Sequence, residues 1–421
     1  SSYKDLGLVS EVFSKDTLSR FPEGTMAVGH VRSGTTGGNT RSNCQPIEVS
    51  HQKGKMALAQ NGMLPNALMR RDMLELSGDI FHTTSDTETI AYMITRERLG
   101  ASSIEEAVSR AMESLEGAYS LVLMSSTKMI AARDPYGFRP LCFGRMPDGT
   151  YVAASESCAL SAVGAESVRD ILPGEIVVFH PDGVESRREH CKTQRQRTCI
   201  FEYIYFARLD STMDGVKVYD ARIRGGKSLA KSYPVEADLV TGVPESGLPA
   251  AKGFSEESGI PFGFAFYKNS YIGRTFIKPT QKERESSVHL KLSVLDAVVK
   301  GKRIVLVDDS IVRGTTIANL IRMLKEAGAL EVHVRISSPP FLHPCYFGTD
   351  VPSNDQLIAA QHSTEEICKM IGADSLGYME IDYLEGMAGG LPICKACFDG
   401  KYPMVIPDEN NLQNDFEIHK I

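Results

Sequence analysis

Long apolar runs, blocks of basic residues and low-complexity stretches are all missing from this chain of 421 residues. No apolar run approaches the roughly 18 residues of a membrane-spanning helix. Without a Lys/Arg cluster, and with a net charge of −7, the chain shows no footprint for nucleic acid. Its 36 glycines and 20 prolines are close to the average share, which excludes a collagen-like chain. We therefore expect a globular protein with no membrane and no nucleic-acid partner.

Two marks of secreted proteins are also missing. The first residues, SSYKDLGLVSEVF, do not show the basic-then-apolar pattern of a secretory signal. The nine cysteines are an odd number and too few for a disulfide scaffold of this size. We therefore predict a cytoplasmic protein, in which individual cysteines are buried, reactive or metal-bound.

The two halves of the sequence show different patterns of predicted strands and helices. In the first half, short predicted strands alternate with helices such as Asp86–Leu99, and Asn61-Gly62 is typical of a turn. From Cys199 onward, apolar runs of four to six residues alternate with amphipathic helices, which favours βαβ units and a parallel sheet. A polar, basic stretch between the two halves predicts a joint, that is, a linker between two domains. The predicted organisation is a domain at residues 1–184, a joint at 185–197, a domain at 198–403 and a tail at 404–421.

The strongest chemical signal is the segment RIVLVDDSIVRGTTIANLIRMLKEAG at residues 303–328. A buried strand is expected to run into Asp308 and Asp309, and a helix is expected to open near Thr315 after a short loop. Amide groups and hydroxyls at such a helix N-terminus suit a phosphate monoester. Two carboxylates beside that phosphate make sense if they hold ribose hydroxyls and a hard cation. An N-capped helix after an acidic turn explains one Asp and one Ser, but not DD followed by S-x-x-x-x-T-T.

VLVDDSIVRGTT, at residues 305–316, resembles the phosphoribosyl-diphosphate (PRPP) motif of type I phosphoribosyltransferases. Four further segments resemble glutamine PRPP amidotransferases, also called amidophosphoribosyltransferases: TCIFEYIYFARLDS, VTGVPESGLPAAKGF, YIGRTFIKPTQKERE and ISSPPFLHPCYFGTD. The resemblance implies an α/β fold, with an N-terminal-nucleophile αββα glutaminase-type domain followed by a doubly wound parallel sheet of the phosphoribosyltransferase type. It implies transfer of glutamine-derived ammonia to PRPP, giving 5-phosphoribosylamine and diphosphate in de novo purine biosynthesis.

The resemblance also implies roles for individual residues of the second half. Ser246, Asp308 and Asp309 would surround Mg²⁺, and Glu245 stands where the family usually has Asp. A mobile lid over the diphosphate would carry Arg274, Thr275, Lys278 and Gln281, although these residues alone favour a plain surface loop. The full implied PRPP-binding set is Glu245, Ser246, Gly247, Asp308, Asp309, Ser310, Arg313, Gly314, Thr315 and Thr316.

For the first half, the resemblance implies a glutamine site. GHVRSGTTGGNTRSNCQPI, at residues 29–47, would place Arg32 on the carboxylate of glutamine. Asn61 and Gly62 would form the oxyanion hole, and Asp86 would bind the glutamine ammonium group. In the family, an N-terminal Cys attacks the glutamine amide with its own α-amino group as the base.

Several residues depart from the family pattern. No Cys stands at the start, Gln60 replaces the usual His, and Ser33-Gly34 replaces Tyr-Ser. Gly225 and His289 replace a larger apolar residue and an Arg. A full enzyme whose first segment lies outside this sequence explains the missing Cys alone. Two alternatives stay open: a diverged relative that uses free ammonia or another acceptor, and a non-catalytic PRPP or nucleotide sensor.

The cysteines give the last signal. Cys394-Lys-Ala-Cys397 alone is weak, because a CxxC pair serves zinc, redox chemistry or neither. Several members of the family carry a 4Fe–4S cluster on four cysteines, and Cys199, Cys345, Cys394 and Cys397 stand at the matching positions. Family analogy further implies inhibition by purine nucleotides and a homo-oligomer, most simply a homotetramer.

Overall fold

The computed structural model of the chain describes residues 1–32, 38–269, 292–349, 351 and 353–406. These residues fold into two units. The first comprises Ser1–Cys199, Cys345–Asp350 and Tyr402–Ile421, as far as they are described, and the second comprises Ile200–Pro344 and Val351–Lys401. A short segment from late in the sequence therefore belongs to the first unit.

The first unit is built on a six-stranded antiparallel sheet. Its longest strand, Gly54–Met63, pairs from Met56 to Met63 with the mostly buried strand Ala118–Ser125. A two-residue hairpin at Pro181-Asp182 joins the last two strands, since His180 pairs with Gly183 across it. In spatial order the strands are Ile47–His51, Gly54–Met63, Ala118–Ser125, Met129–Arg133, Ile176–His180 and Gly183–Arg187.

This sheet is one of four layers. One face packs against the helices Asp86–Gly100 and Ile104–Met112 through a buried apolar cluster that includes Leu58 and Ile94. The other face packs through Phe179 against residues of a second, three-stranded antiparallel sheet. A short helix, Ser157–Ala162, covers that second sheet, whose strands are Cys142–Arg145, Tyr151–Ala154 and Glu166–Asp170. The αββα prediction is confirmed.

The helices of the first unit begin where side chains cap them. The Ser85 side chain accepts the N–H of Thr87, and the Ser103 side chain accepts the N–H of Glu106 at 3.2 Å. Small and apolar residues such as Ala107 and Met112 then face the sheet, as the sequence period predicts. The remaining helices are Val9–Val12, Lys15–Ser19 and Ala67–Leu76, with a 3₁₀ turn at Arg41–Asn43.

The segment predicted as a joint, residues 185–197, lies inside the first unit. Its start continues the strand Gly183–Arg187, because the two-residue hairpin carries sheet pairing past Pro181. Its end is fixed by the N–H of Arg197, which donates to the Tyr136 carbonyl at 2.7 Å. A polar composition therefore marks an exposed edge of the first unit here, and the short strand Thr198–Cys199 follows it.

The second unit is built on a four-stranded parallel sheet. Its central strand, Arg303–Asp308, is buried from Ile304 to Asp308 and pairs with strands on both sides. The β-branched, continuously apolar sequence fits a strand that is covered on both faces. In spatial order the strands are Leu239–Gly242, Arg303–Asp308, Glu331–Ile336 and Ser375–Tyr378.

Helices cover both faces of this sheet, so the predicted doubly wound arrangement is confirmed. Thr315–Glu326 packs its Leu320 and Leu324 into a cluster with Ile304 and Val332 on one face. Gly247–Ser258 lies on the other face against Val307 and the helix Val218–Ser232. The shorter helices are Asp296–Val299, Ile358–Gln361, Thr364–Ile371, Leu384–Met387 and Ala396–Asp399, with a π-helical turn at Glu202–Phe206 and 3₁₀ turns at Asn354–Gln356 and Ile381–Tyr383.

Short strands complete the second unit. They are Thr212–Met213 with Val216–Lys217, Phe266–Lys268 with Leu292–Val294, and Ile393–Cys394. Within the described ranges, no helix combines the length and the apolar character that crossing a bilayer requires.

Candidate active sites

The segment with the strongest sequence signal forms a strand, a loop and a helix. Strand Arg303–Asp308 ends in the aspartate pair, and helix Thr315–Glu326 starts after a loop. Gly314 turns the chain into that helix at φ +80°, a conformation that favours glycine. The N–H of Ile358 donates to the Val312 carbonyl at 3.0 Å and holds the loop from outside. The prediction of this local structure is confirmed.

The two aspartates at the strand end are both buried. The Ser310 hydroxyl donates to Asp309 Oδ1 at 2.6 Å, and the N–H of Asp309 donates to Asp308 Oδ1 at 2.9 Å. Burial raises the pKa of Asp308 well above its usual value, and the neighbouring Asp309 raises it further. Burial also raises the pKa of Asp309, although its hydroxyl partners oppose this. Burial therefore disfavours negative charge on the pair, and a cation or a hydroxyl-bearing ligand would stabilise that charge.

A second loop meets the aspartate pair at the end of the neighbouring strand. The Ser246 hydroxyl donates to Asp309 Oδ2 at 2.5 Å. The N–H of Val243 donates to the Val307 carbonyl at 2.9 Å, and a Cβ on Gly247 would lie 2.4 Å from that same oxygen. Only glycine allows this approach, so residues 243–247 and the pair Asp308–Asp309 form one site, as the sequence predicts for Ser246, Asp308 and Asp309.

The remaining predicted PRPP residues lie around this centre. Thr315, Thr316 and Arg313 are exposed at the helix N-terminus, where Arg313 donates to Gln356 Oε1. Glu245 is exposed and pairs with Lys268 at 2.8 Å. The predicted lid residues lie outside the described residues: Arg274, Thr275, Lys278 and Gln281.

Arg222 is a charged residue of this site that the sequence analysis did not single out. It is buried, and it donates from Nε to the Tyr203 carbonyl and from Nη2 to the Ala207 carbonyl, both at 2.8 Å. Its positive charge lowers the pKa of Asp309 and so partly offsets the rise that burial causes. An arginine within the apolar face of helix Val218–Ser232 was the signal that could have identified it.

The predicted oxyanion pair lies within a strand of the first unit. The prediction that Asn61-Gly62 forms a turn was wrong, because both residues belong to strand Gly54–Met63 and pair with Ser120 and Tyr119. Gly62 has φ +135°, and a Cβ there would lie 2.1 Å from the Ala118 carbonyl oxygen. The glycine is therefore required by close strand packing and by its backbone conformation.

The predicted glutamine-binding side chains lie in one region of the same unit. The half-buried Asp86 accepts the N–H of Leu64 at 3.1 Å and the amide of Gln60 at 3.3 Å. Burial raises the pKa of Asp86, and the nearby charge of Arg32 opposes this rise. Gln60, which replaces the family's usual His, also accepts the Thr87 hydroxyl at 2.9 Å and so links the strand to the helix that starts at Asp86. Residues 33–37, including Ser33-Gly34, lie outside the described residues.

Two polar residues near this region were not predicted. Nε2 of His30 donates to the Gln60 carbonyl at 3.1 Å, while its buried Nδ1 has no hydrogen-bond partner. Burial lowers the pKa of His30, so the neutral ring is favoured. Asn66 is buried with both amide atoms unpartnered, a costly arrangement. A polar residue soon after Asn61-Gly62 was the available signal for Asn66.

The four predicted cluster cysteines are half-buried. Cys199 and Cys345 belong to the first unit, whereas Cys394 and Cys397 belong to the second. Throughout the part of the chain that the structure describes, no group of three or more His, Cys, Asp or Glu side chains is placed to hold a metal ion. The structure does not support the prediction of a 4Fe–4S cluster.

Known proteins resemble the chain unit by unit and as a whole. Profiles of a glutamine amidotransferase domain and a phosphoribosyl transferase domain match residues 32–162 and 221–337. The amidophosphoribosyltransferase of Methanocaldococcus jannaschii is 46% identical over 424 residues, covering 97% of this chain and 90% of that protein. The one from Bacillus subtilis is also 46% identical, over 98% of this chain and 87% of that protein.

Solved structures show the same relationship. The structure described as the allosteric regulatory enzyme of purine biosynthesis has a TM-score of 0.89 at 46% identity, covering 96% of this chain and 87% of that one. The glutamine PRPP amidotransferase from B. subtilis complexed with ADP and GMP has a TM-score of 0.88, covering 96% and 88%. With relatives 46% identical over nearly its whole length, the chain belongs to the amidophosphoribosyltransferase family.

Proposed function

We propose that this pentosyltransferase forms 5-phosphoribosylamine and diphosphate from PRPP and glutamine-derived ammonia, a step of de novo purine biosynthesis. The observation that carries the proposal is the hydrogen-bonded group of Ser246, Asp308 and Asp309. It lies where two adjacent parallel strands end, the position at which open α/β sheets bind ligands. A full-length match to amidophosphoribosyltransferases at 46% identity supports the same activity.

PRPP has three recognisable parts, and each has a counterpart in the second unit. The amides and hydroxyls of residues 310–316 suit the 5-phosphate at the start of a 12-residue helix. Asp308 and Asp309 accept the ribose hydroxyls. Residues 245–247, where glycine allows close backbone approach, hold the diphosphate. The leaving diphosphate is therefore bound separately from the ribose that ammonia attacks.

Mg²⁺ fits this group of oxygen atoms. Mg²⁺ is usually bound by one or two carboxylates together with substrate phosphates, so two buried aspartates and the Ser246 hydroxyl suffice on the protein side. Burial raises the pKa of both aspartates, and a cation beside them would favour their charged form. When bound, Mg²⁺ would supply positive charge to the diphosphate oxygens.

In the first unit, Arg32 and Asp86 are the charged pair that we assign to the carboxylate and the ammonium group of glutamine. Arg32 is half-buried and interacts electrostatically with Asp86, so an amino-acid zwitterion finds opposite charges close together. Asn61 and Gly62 would donate to the oxyanion formed during amide hydrolysis. We assign the nucleophile to no residue of this sequence.

Other family properties belong to the proposal without being tested by the structure. Inhibition by purine nucleotides is supported by the complex of the B. subtilis relative with ADP and GMP. The cytoplasmic location, the homotetramer and the lid stay predictions. The iron–sulfur cluster is not part of the proposal, because no group of side chains among the described residues is placed to hold a metal ion.

Incubation with PRPP, Mg²⁺ and either glutamine or ammonium tests the proposal. We expect diphosphate release and phosphoribosylamine formation with ammonium, and also with glutamine when the protein tested carries the nucleophile that hydrolyses it. Turnover with ammonium but not with glutamine would support the proposed transferase activity and refute the proposed glutaminase activity. Turnover with neither would overturn the proposed function and favour a protein that only binds PRPP.

A further inference from the structure

The late segment that belongs to the first unit lies against the oxyanion pair. A Cβ on Gly348 would lie 3.0 Å from the carbonyl carbon of Gly62 and 3.1 Å from its Cα. Gly348 has φ +97°, so glycine is favoured there on conformational grounds as well. The backbone of Gly62 therefore contacts Ala118 of the neighbouring strand and also Gly348.

Arg139 holds this late segment in place. Its Nε donates to the Phe347 carbonyl at 3.3 Å, and its Nη2 donates to the Thr349 hydroxyl at 3.4 Å. All three residues are buried. The ring of Phe347 also stacks on Phe138, with centroids 4.4 Å apart and an interplanar angle of 15°. The segment is thus fixed on both sides of Gly348.

Arg139 is itself fixed by the strands beside the oxyanion pair. Its carbonyl accepts from Arg133 Nε at 2.8 Å and from the Ser120 hydroxyl at 3.2 Å. Ser120 is the direct sheet partner of Asn61. Asp134 caps the intervening turn by accepting the N–H of Tyr136 at 2.9 Å. Buried polar contacts therefore run from Asn61 through Arg139 to the residues around Gly348.

We propose that Arg139 and Gly348 are positioning residues for the oxyanion hole, keeping the backbone of Gly62 where its N–H meets the developing negative charge. The inference rests on the proposed function, which assigns that role to Gly62. Oxyanion donors must be held to within about 0.5 Å, and loss of one donor lowers kcat by about 10²–10³-fold. The sequence analysis assigned no role to Arg139 or to Gly348.

Gly348→Ala tests the contact, with Gly164→Ala as the matched control. Gly164 also lies in the first unit at positive φ, but a Cβ there meets nothing within 4 Å. We expect Gly348→Ala to lower kcat with glutamine by about tenfold or more, and to leave KM for glutamine and the ammonium-dependent rate within about twofold. Gly164→Ala should change none of these.

Arg139→Lys and Arg139→Met form a second series. Lysine keeps the charge but cannot bridge two acceptors as the guanidinium does, so its glutamine-dependent kcat should lie between those of the parent chain and the methionine variant. Ammonium-dependent rates should stay within about twofold for the lysine variant. An unchanged glutamine kcat in both Gly348→Ala and Arg139→Met, or an equal loss with both nitrogen sources, would overturn the inference.

Amide hydrogen exchange gives a readout that does not need turnover. Exchange over residues 58–64 should be about tenfold faster in Gly348→Ala than in Gly164→Ala, because the backbone beside Gly62 loses its support. Equal exchange in the two variants would refute the positioning role. If the parent chain uses ammonium but not glutamine, the glutaminase assignment fails on its own, and exchange still decides this inference.

Discussion

The aspartate pair of the second unit and the oxyanion pair of the first unit are assembled in different ways. Asp308, Asp309 and Ser310 follow one another along the chain, and one neighbouring loop supplies Ser246. Around Gly62, by contrast, contacts come from Ala118 of the neighbouring strand and from Gly348, which is far away along the sequence. A site made from one contiguous segment can be recognised from its sequence, whereas a site made from distant segments depends on the packing of the whole unit.

The two sites also differ in how their charge is balanced. In the second unit, two buried carboxyl groups lie together, burial raises the pKa of both, and the neighbouring Asp309 raises that of Asp308 further. In the first unit, Asp86 has the positive charge of Arg32 nearby. The first arrangement suits a substrate that brings a metal ion, and the second suits a substrate that carries both charges itself.

The largest effect is expected at the aspartate pair. Replacing both residues, Asp308→Asn with Asp309→Asn, should lower turnover by about 10³-fold with glutamine and with ammonium, because ribose and cation lose their ligands. The free energy of unfolding without PRPP should stay constant or rise by about 1 kcal/mol, since two buried charges are removed. Exposed Asp296→Asn is the control for both measurements. Retained turnover in the double variant would refute the assignment.

A substitution in the first unit should affect one nitrogen source only. Asp86→Asn should raise KM for glutamine by about 100-fold, because an amide binds an ammonium group far more weakly than a carboxylate does. The ammonium-dependent rate should stay within about twofold. Exposed Asp72→Asn on helix Ala67–Leu76 is the control. A matching loss with ammonium would show that the two sites are not separate in function.

Two adjacent glycines test the framework of the second unit. A Cβ on Gly226 would lie 1.8 Å from the Ala250 carbonyl, whereas one on Gly225 meets only the flexible ends of Met387 and Met379 at 3.3 and 3.4 Å. Gly226→Ala should lower the free energy of unfolding by about 3 kcal/mol or prevent folding. Gly225→Ala should change it by less than about 1 kcal/mol, because helix propensity offsets the crowding. Denaturant unfolding of both variants gives the comparison, and similar effects at the two positions would contradict it.

The smallest effect concerns pH and the turn that supports Arg139. Burial raises the pKa of Asp134 from 3.8 to about 7, against the opposing effects of Arg133 and the backbone amides. A raised pKa means that folding favours the protonated carboxyl. This contribution is complete below about pH 4 and is lost as pH rises through 7. Relative to Asp134→Asn, the free energy of unfolding should fall by about 2 kcal/mol between pH 5 and pH 8. An identical pH dependence in the variant would refute this.

The parts of the molecule that the sequence predicted well are those set by local pattern. The strand before Asp308 and the helix after Gly314 follow from a continuous apolar run and from the residues that begin a helix. The capped helix that starts after Ser103 follows for the same reason. The contact of Ser246 with Asp309 was anticipated through family resemblance, since the two residues are far apart along the chain.

Tertiary contacts explain what the sequence missed. Asn61-Gly62 has the composition of a turn, but pairing with the strand that contains Tyr119 overrides that local preference. Nothing in the local sequence around Arg139 indicates its hydrogen bonds to Phe347 and Thr349, which lie about 200 residues later. At position 225, where the family usually has a larger apolar residue, the ends of Met387 and Met379 lie beside the glycine. Each case depends on residues that are remote in sequence.

The discontinuous first unit has a consequence for the order in which the chain can fold. During synthesis, residues 1–199 leave the ribosome well before Cys345–Asp350. Until then, Gly62 lacks Gly348, and Arg139 lacks the acceptors on Phe347 and Thr349. The first unit therefore stays incompletely packed until the later residues have been translated. If the two halves were expressed as separate chains, the first unit would lack the buried residues that Cys345–Asp350 contributes to it.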